Sequence, residues 1–136
     1  MYLDIVNGIS VKLNEYFGDE YKIYAETVEQ GTALPCFFIN HEEMTKKKLL
    51  GERYLMMYSF DINYFPQNDK LEMLDIAEKL QDCLKIIKIA DGDLIRGSRM
   101  RFNINNGVLH FYVGYSMILT ETGETDYMDS FLYKLI

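Results

Sequence analysis

An alternating segment at residues 54–64 constrains the fold of this chain more than any other part of the sequence. Its large apolar side chains share one face of an extended chain: Tyr54, Met56, Tyr58, Phe60, Ile62 and Tyr64. The opposite face carries polar residues such as Ser59, Asp61 and Asn63. This two-residue period predicts a strand that is buried on one side only. Pro66 should end the strand, because proline cannot donate a hydrogen bond to a neighbouring strand.

The pair Asn106-Gly107 predicts the tip of a long hairpin, since these residues suit the positive φ angles of a type I′ turn. With this loop, the apolar side chains pair on one face as Ile104 with Leu109, Phe102 with Phe111 and Met100 with Val113. The polar face pairs Asn103 with His110 and Arg101 with Tyr112. Continued backwards, this register would bury Arg96. A bulge at Gly97, or the end of the core face, is therefore predicted.

Two amphipathic helices are predicted in addition. The first spans residues 2–17, where apolar side chains recur at three-and-four spacing, and Gly18 is placed to close it as a left-handed cap. The second is predicted at residues 70–87. Asp69 and Glu72 have the spacing of a capping box at its start.

Two further strands are expected at residues 21–26 and 36–39. The order of elements predicts an α+β fold, a mostly antiparallel sheet with two helices packed on it. Residues 1–120 are predicted to form this domain, and residues 121–136 a solvated linker followed by an apolar contact segment. A chain of 136 residues, 49% hydrophobic, has enough apolar area for one core.

The charge balance excludes some functions. Fourteen Lys and Arg against 21 Asp and Glu give a net charge of −7, which argues against a protein that binds by neutralising nucleic-acid phosphates. No basic region precedes the apolar N-terminal residues, and no long uncharged apolar run occurs, so a soluble, cytoplasmic chain is expected. Cys36 and Cys83 lie in apolar stretches and are expected to be reduced and structural.

No pattern of residues supports a cofactor, a metal or catalysis. Cys36 and His41, the nearest candidates for zinc ligands, would point to opposite faces of one strand. Cys83 falls on the apolar stripe of a helix, where a thiolate is disfavoured. A small α+β enzyme that uses His41 or His110 remains an alternative. It would require a pocket that holds one of these imidazoles beside a carboxylate.

Three parts of the sequence are candidates for protein contact. The segment around Lys46, Lys47, Lys48 and Arg53 is predicted to be a long exposed loop or a projecting hairpin. The polar hairpin face carries Arg99, Arg101 and Tyr112, residue types that are frequent at interfaces. Residues 127–136, with Phe131, Leu132 and Leu135, are apolar beyond a polar linker. The alternatives are a flexible loop, an ordinary solvated face and packing on the chain's own core.

Several segments, in order, resemble the small tail terminators of phages, prophages and phage-tail-like bacteriocins of Gram-positive bacteria. The resemblance spans roughly residues 3–119 and rests on Pro35-Cys36-Phe37-Phe38-Ile39, Tyr58-Ser59-Phe60-Asp61-Ile62-Asn63-Tyr64-Phe65-Pro66, Ala77-Glu78-Lys79-Leu80, Arg96-Gly97 and Gly107-Val108-Leu109-His110-Phe111. The segment after Glu121 departs from the family pattern.

The resemblance implies a structural role without cofactors or catalytic residues. Subunits would form a ring, a hexamer by family likeness, that caps the head-proximal end of the tail tube and stops its growth. The fold would be that of the lambda-type terminator. Partners would be the tube protein and the neck or sheath, with no membrane and with DNA at most passing through the lumen. Assembly in the host cytoplasm, then residence in the virion or bacteriocin tail, would follow. A head-tail connector or a tube subunit is the nearest alternative.

Overall fold

The computed structural model describes residues 1–25, 34–68, 70–90, 92–120 and 134–135. Its two helices and seven strands follow one another along the chain as α1 (Tyr2–Phe17), β1 (Lys22–Tyr24), β2 (Cys36–Lys48), β3 (Arg53–Phe65), α2 (Lys70–Cys83), β4 (Ile86–Lys88), β5 (Leu94–Asn105), β6 (Val108–Thr120) and β7 (Lys134–Leu135). Asp69, the predicted cap of α2, and most of the segment 121–136 lie outside the described residues.

The strands form one mixed sheet in the order β1-β2-β3-β6-β5-β4, and β7 pairs with β6 beside this path. β1 lies parallel to β2, whereas every other pair is antiparallel. The predicted α+β class with a mostly antiparallel sheet is therefore confirmed, with one parallel pair at the edge. That pair is possible because a connection of eleven residues returns the chain from Tyr24 to Cys36.

Both helices contribute to one core on one face of the sheet. The predicted inward residues of β3 from Tyr58 to Tyr64 are buried, and Met56 packs against the core from its margin. The fully buried side chains of α1 and α2 that meet them are Ile5, Ile9, Leu13, Ala77, Leu80 and Cys83. The other face of the sheet, called the open face below, displays the polar side chains of the same strands. The two-residue period thus places the apolar side chains of these strands in the core and their polar side chains on the open face.

α1 begins and ends as the sequence predicts, with Gly18 following its last residue at φ 94°. The ψ of Gly18 is 175°, so it does not adopt the left-handed helical conformation that was expected of it. Gly8 brings α1 against β4: a Cβ built at Gly8 would lie 2.6 Å from the carbonyl oxygen of Lys88. The core therefore depends on a close approach between this helix and an edge strand.

The hairpin of β5 and β6 has the predicted turn, with φ 55° at Asn106 and 76° at Gly107. The pairs Phe102 with Phe111, Ile104 with Leu109, Asn103 with His110 and Arg101 with Tyr112 are confirmed. The regular pair of Met100 with Val113 is wrong. Ser98 pairs with Gly114 and Arg101 with Tyr112, so Arg99 and Met100 both oppose Val113 in a bulge.

The bulge lies at Arg99, which adopts φ 53°, and not at Gly97, which pairs regularly with Tyr115. The bulge changes the register as predicted, so that Arg96 is not buried. The extra residue reverses the alternation of β5, so Ile95 is buried and Arg96 is exposed.

α2 ends at Cys83, four residues earlier than predicted, and the next residues form the edge strand β4. Two carbonyl groups at this point are bonded to the sheet instead of to a further helical turn. The Tyr115 hydroxyl donates to the Leu84 oxygen at 2.8 Å, and the Gly97 amide donates to the Lys85 oxygen at 2.8 Å. The chain therefore leaves the helix and pairs with β5.

Candidate protein-contact site

Residues 46–53, called the cationic hairpin below, form the far end of β2, a turn and the start of β3. The prediction of a projecting hairpin is correct and that of a long loop is wrong, because Lys46, Lys47 and Lys48 are strand residues paired with Met56, Leu55 and Tyr54. A strand forms here without large apolar side chains of its own, since β3 supplies both its hydrogen bonds and its apolar face.

The cationic hairpin is exposed, and its charges are directed to both faces of the sheet. Lys46 and Lys48 share the register of the helix-bearing face, whereas Lys47 lies on the open face. The Lys46 ammonium sits 4.3 Å above the Tyr54 ring. Leu50, in the turn, is 83% exposed. A partner that covered Leu50 would gain the free energy of burying its apolar surface.

Three of the predicted contact residues on this hairpin have no counter-charge among the residues that the structure describes. Among the described residues, Lys47, Lys48 and Arg53 take part in no salt bridge. The hairpin holds four bases and Glu52, a net charge of +3. Because the net charge of the whole chain is −7, the remaining residues together carry a net charge of −10. The subunit is therefore electrically polarised, with its cationic end on one hairpin.

Polar side chains from three adjacent strands are hydrogen-bonded across the open face. The Asn40 amide donates to the Asn63 oxygen at 2.8 Å, and the Asn63 amide donates to Asp61 at 2.7 Å. His110 Nδ1 lies 3.1 Å from an oxygen of Asp61 and 3.0 Å from the Asn63 amide nitrogen. This network holds the side chains in fixed positions, which lowers the entropy that a partner must remove on binding.

Arg101 and Tyr112 extend this surface across β5 and β6. The Arg101 guanidinium lies 3.9 Å above the Tyr112 ring and donates to Glu42 at 3.1 Å. With Arg99, these residues border a hollow of about 400 Å³ whose floor includes the paired residues Ser59 and Gly114. The structure thus brings three of the predicted contact residues together, Arg99, Arg101 and Tyr112.

Two bulges at the same level of the sheet shape this hollow. β2 has an extra residue between His41 and Glu43, opposite Ser59 and Phe60, and the bulge of β5 lies opposite Val113, which pairs with Phe60. Bulges bend and twist the strands that contain them. They turn Glu42 toward Arg101 across the strands between them.

The C-terminal segment is described only at Lys134 and Leu135. The backbone of Leu135 pairs with Met117 and that of Lys134 with Ile118, on a stretch of β6 beyond its last pairing with β5 at Tyr115. The predicted contact residues Phe131 and Leu132 lie outside the described residues.

A further surface, which the sequence-based prediction missed, lies on the outer side of α2. We call it the acidic face of α2. It consists of side chains at helical spacing that all avoid the core: Leu71, Leu74, Asp75, Glu78 and Asp82. Leu71 is 73% exposed and Leu74 is 41% exposed. The signal was present in the sequence, because these positions complement the buried stripe of the helix.

The cysteines are placed as predicted. Burial raises the pKa of the Cys83 thiol to about 12 and also raises that of Cys36. Cys36 shares the register of the open face of β2, whereas His41 contacts Tyr2 of α1 on the other face. Within residues 1–25, 34–68, 70–90, 92–120 and 134–135, no three His, Cys, Asp or Glu residues form a group that would hold a metal ion.

In the described part of the chain, His110 and Asp61 form an imidazole–carboxylate contact of the kind that the enzyme alternative requires. Their side chains are 24% and 20% exposed on the open face. Neither residue lines the adjacent hollow, which is bordered by Arg99, Arg101, Tyr112 and their neighbours. The pair is part of the polar network of the sheet, and it does not face into that hollow.

Fold and surfaces together describe a small α+β protein that offers charged and polar contact area to other proteins. The sequence matches the family model of the phage tail terminator protein over residues 4–127, and the chain belongs to that family. This family is structural and not enzymatic, which makes the protein a structural component of a phage tail. A search of curated proteins finds no match. In the part of the chain that the structure describes, neither helix is long and apolar enough to cross a membrane.

Proposed function

We propose that the protein forms a hexameric ring on the head-proximal end of the tail tube, where it stops polymerisation of the tube and offers a docking surface to the neck or the sheath. Family membership over residues 4–127 is the observation that carries this proposal. The order of helices and strands is compatible with the lambda-type terminator fold, which we propose for this protein.

A ring of this kind needs two different surfaces on each subunit, because its interfaces are head-to-tail. The cationic hairpin and the open face are candidates for such surfaces, and they differ in charge and shape. We assign Lys46, Lys47, Lys48 and Arg53 to contact with a neighbouring subunit or the tube. Arg99, Arg101 and Tyr112 would form a second contact.

The segment 121–136 is proposed as a linker and contact segment apart from the domain of residues 1–120. Phe131, Leu132 and Leu135 would contact the tube, the sheath or an adjacent subunit. Deletion of residues 121–136 should then abolish association and leave the domain folded, as measured by circular dichroism. Loss of folding would show that the segment belongs to the core.

The overall charge of −7 suits a lumen through which DNA passes. Like charges repel the phosphate backbone, so DNA would slide through without being retained. In this proposal the ring itself makes no specific contact with DNA.

Tail length is the quantity that tests the proposal. Tails assembled without this protein should be overlong in electron micrographs, and addition of the protein should restore a uniform length. Tails of normal length that lack heads would indicate a head-tail connector instead. The mass of the protein in solution, measured with and without purified tubes, shows whether the tube is needed to assemble the ring.

The enzyme alternative is tested by His110→Ala, with Asn103→Ala on the same face as a control. Both variants should terminate tails at the normal length, because we assign the His110 imidazole to the polar network and to no chemical step. Loss of termination in the His110 variant alone would return this residue to the functional centre.

A further inference from the structure

The strongest unexplained feature of the molecule is a pair of surfaces with opposite charge that the subunit does not bring together. On the cationic hairpin, Lys47, Lys48 and Arg53 form no ion pair with another residue in the described part of the chain. On the acidic face of α2, Glu78 and Asp82 also take part in no salt bridge between described residues.

Both surfaces are costly for an isolated subunit. Glu78 and Asp82 are four residues apart on one helix, where like charges repel each other and destabilise the helix. Lys46 and Lys48 share one face of β2, where their like charges also repel each other. A partner of opposite charge would relieve each repulsion.

The apolar side chains of the two surfaces match as well. Leu50 projects from the turn of the hairpin, and Leu71 and Leu74 project from α2, all exposed to solvent. Each surface is therefore a mixture of charge and exposed leucine, and the two mixtures have opposite sign. Exposed leucines of this kind gain free energy when a partner covers them.

The two surfaces are separated within one subunit. α2 begins beside Tyr64, whose hydroxyl is hydrogen-bonded to Glu72. Lys48 pairs with Tyr54 at the opposite end of β3. The C-terminal end of α2 lies nearer to the hairpin, level with Tyr58, because the Tyr115 hydroxyl that bonds the Leu84 oxygen belongs to the residue paired with Tyr58. α2 packs on β5 and β6, whereas the hairpin belongs to β2 and β3.

We propose that the cationic hairpin of one subunit docks on the acidic face of α2 of a second copy of this chain. Such a contact is head-to-tail, since it joins different surfaces of the two copies, and repetition of it generates a ring or a filament. The inference rests on the proposed ring and specifies which surfaces form its interface. The cationic hairpin is thereby assigned to the neighbouring subunit and not to the tube.

Charge reversal on each surface tests the contact. The hairpin variant is Lys47→Glu with Lys48→Glu, and the helix variant is Glu78→Lys with Asp82→Lys; all four side chains are exposed. In each variant alone, the hairpin and the face of α2 carry charges of the same sign and should repel each other. We expect each to raise the concentration for half-assembly at least tenfold, measured by analytical ultracentrifugation with and without purified tubes.

Two combinations separate this contact from a general effect of charge. The variant with all four substitutions restores opposite signs and should assemble again. An equal mixture of the hairpin variant and the helix variant should also assemble, because each partner then presents the surface that the other needs. Matched controls reverse Lys22 with Lys88, or Glu15 with Glu20, which are exposed residues off both surfaces, and should assemble like the original protein.

The outcomes distinguish the interface from the ring. If the original protein forms no assembly even on tubes, the proposed ring fails and this contact fails with it. If rings form and the hairpin variant assembles equally well, the ring stands and the interface is wrong. If that variant forms rings but no longer binds tubes, the hairpin faces the tube and the inference is overturned. Should a reversal prevent folding, the neutral variants Lys47→Gln with Lys48→Gln and Glu78→Gln with Asp82→Asn carry the test.

Discussion

Gly8 lies in the interior of α1. Replacing an interior helical glycine by alanine usually stabilises a protein, but we expect Gly8→Ala to destabilise this one. In an exposed helix, replacing glycine by alanine raises the free energy of unfolding by about 1 kcal/mol. At Gly8 the added Cβ would lie 2.6 Å from the backbone oxygen of Lys88 and 3.3 Å from Ile87. A backbone oxygen cannot rotate away like the end of a side chain, so α1 would have to move away from β4.

The size of the effect follows from these distances. A normal contact of about 3.5 Å requires a shift of nearly 1 Å, and a gap of that size removes a quarter to a half of the dispersion energy of the atoms it separates. Overpacking of this kind costs about 1–3 kcal/mol, and the upper end applies because backbone is involved. After the helical gain is subtracted, Gly8→Ala should lower the free energy of unfolding by about 2 kcal/mol.

Urea denaturation followed by circular dichroism measures this change from the midpoint at constant slope. Asn7→Ala is the matched control, because Asn7 is exposed one position earlier in the same helix. This control should stabilise the protein by a few tenths of a kcal/mol, since alanine is the better helix former. A midpoint for Gly8→Ala at or above that of the original protein would refute the close approach of α1 and β4.

Two further substitutions test contacts that position the helices. Burial acts to raise the pKa of Glu72, but hydrogen bonds from Tyr64 and two backbone amides outweigh it, so the pKa is lowered. The stability that this carboxylate contributes is therefore present above its unfolded pKa and lost as the pH falls through its folded pKa. Glu72→Gln should remove this loss, flattening the acid side of the curve of unfolding free energy against pH; parallel curves would contradict it. Tyr115→Phe leaves the buried Leu84 carbonyl without its donor and should cost about 1–3 kcal/mol in urea, whereas an unchanged midpoint would mean that the bond contributes nothing.

The hydrophobic periodicity of the sequence predicted those helices and strands whose own side chains determine which face is buried. The alternation of β3 and the turn at Asn106-Gly107 are local signals, and each specifies which side chains meet the core. The polar pairs on the open face follow from the same register. For this reason Arg101 and Tyr112 were correctly placed together before the fold was known.

The wrong predictions concern segments whose structure depends on the neighbouring element of the fold that they pack against. Ile87 fits the apolar stripe of a helix, yet the sheet takes up the preceding carbonyl groups and the chain becomes a strand. The bulge lies at Arg99 because Gly97 is needed elsewhere. A Cβ at Gly97 would lie 2.5 Å from the Leu84 oxygen, so the glycine serves close packing rather than the bulge.

The acidic face of α2 was missed for a related reason. Its residue types are those of any solvated helix, and their significance depends on which charges lack partners inside the fold. The pair of Asp75 with Lys79 in α2 has the local i,i+4 spacing, but a salt bridge such as Arg101 with Glu42 joins side chains distant in the sequence, and no local pattern reports it.

The outer edge of β2 has a consequence for the timing of assembly. Among the described residues, β1 covers this edge only at residues 36–38, and the rest of the strand presents backbone groups beside a bulge and three lysines. Bulges and lysines on an open edge discourage another strand from adding to it. We expect this edge to keep newly made copies from joining by sheet extension, a form of growth that has no natural stopping number.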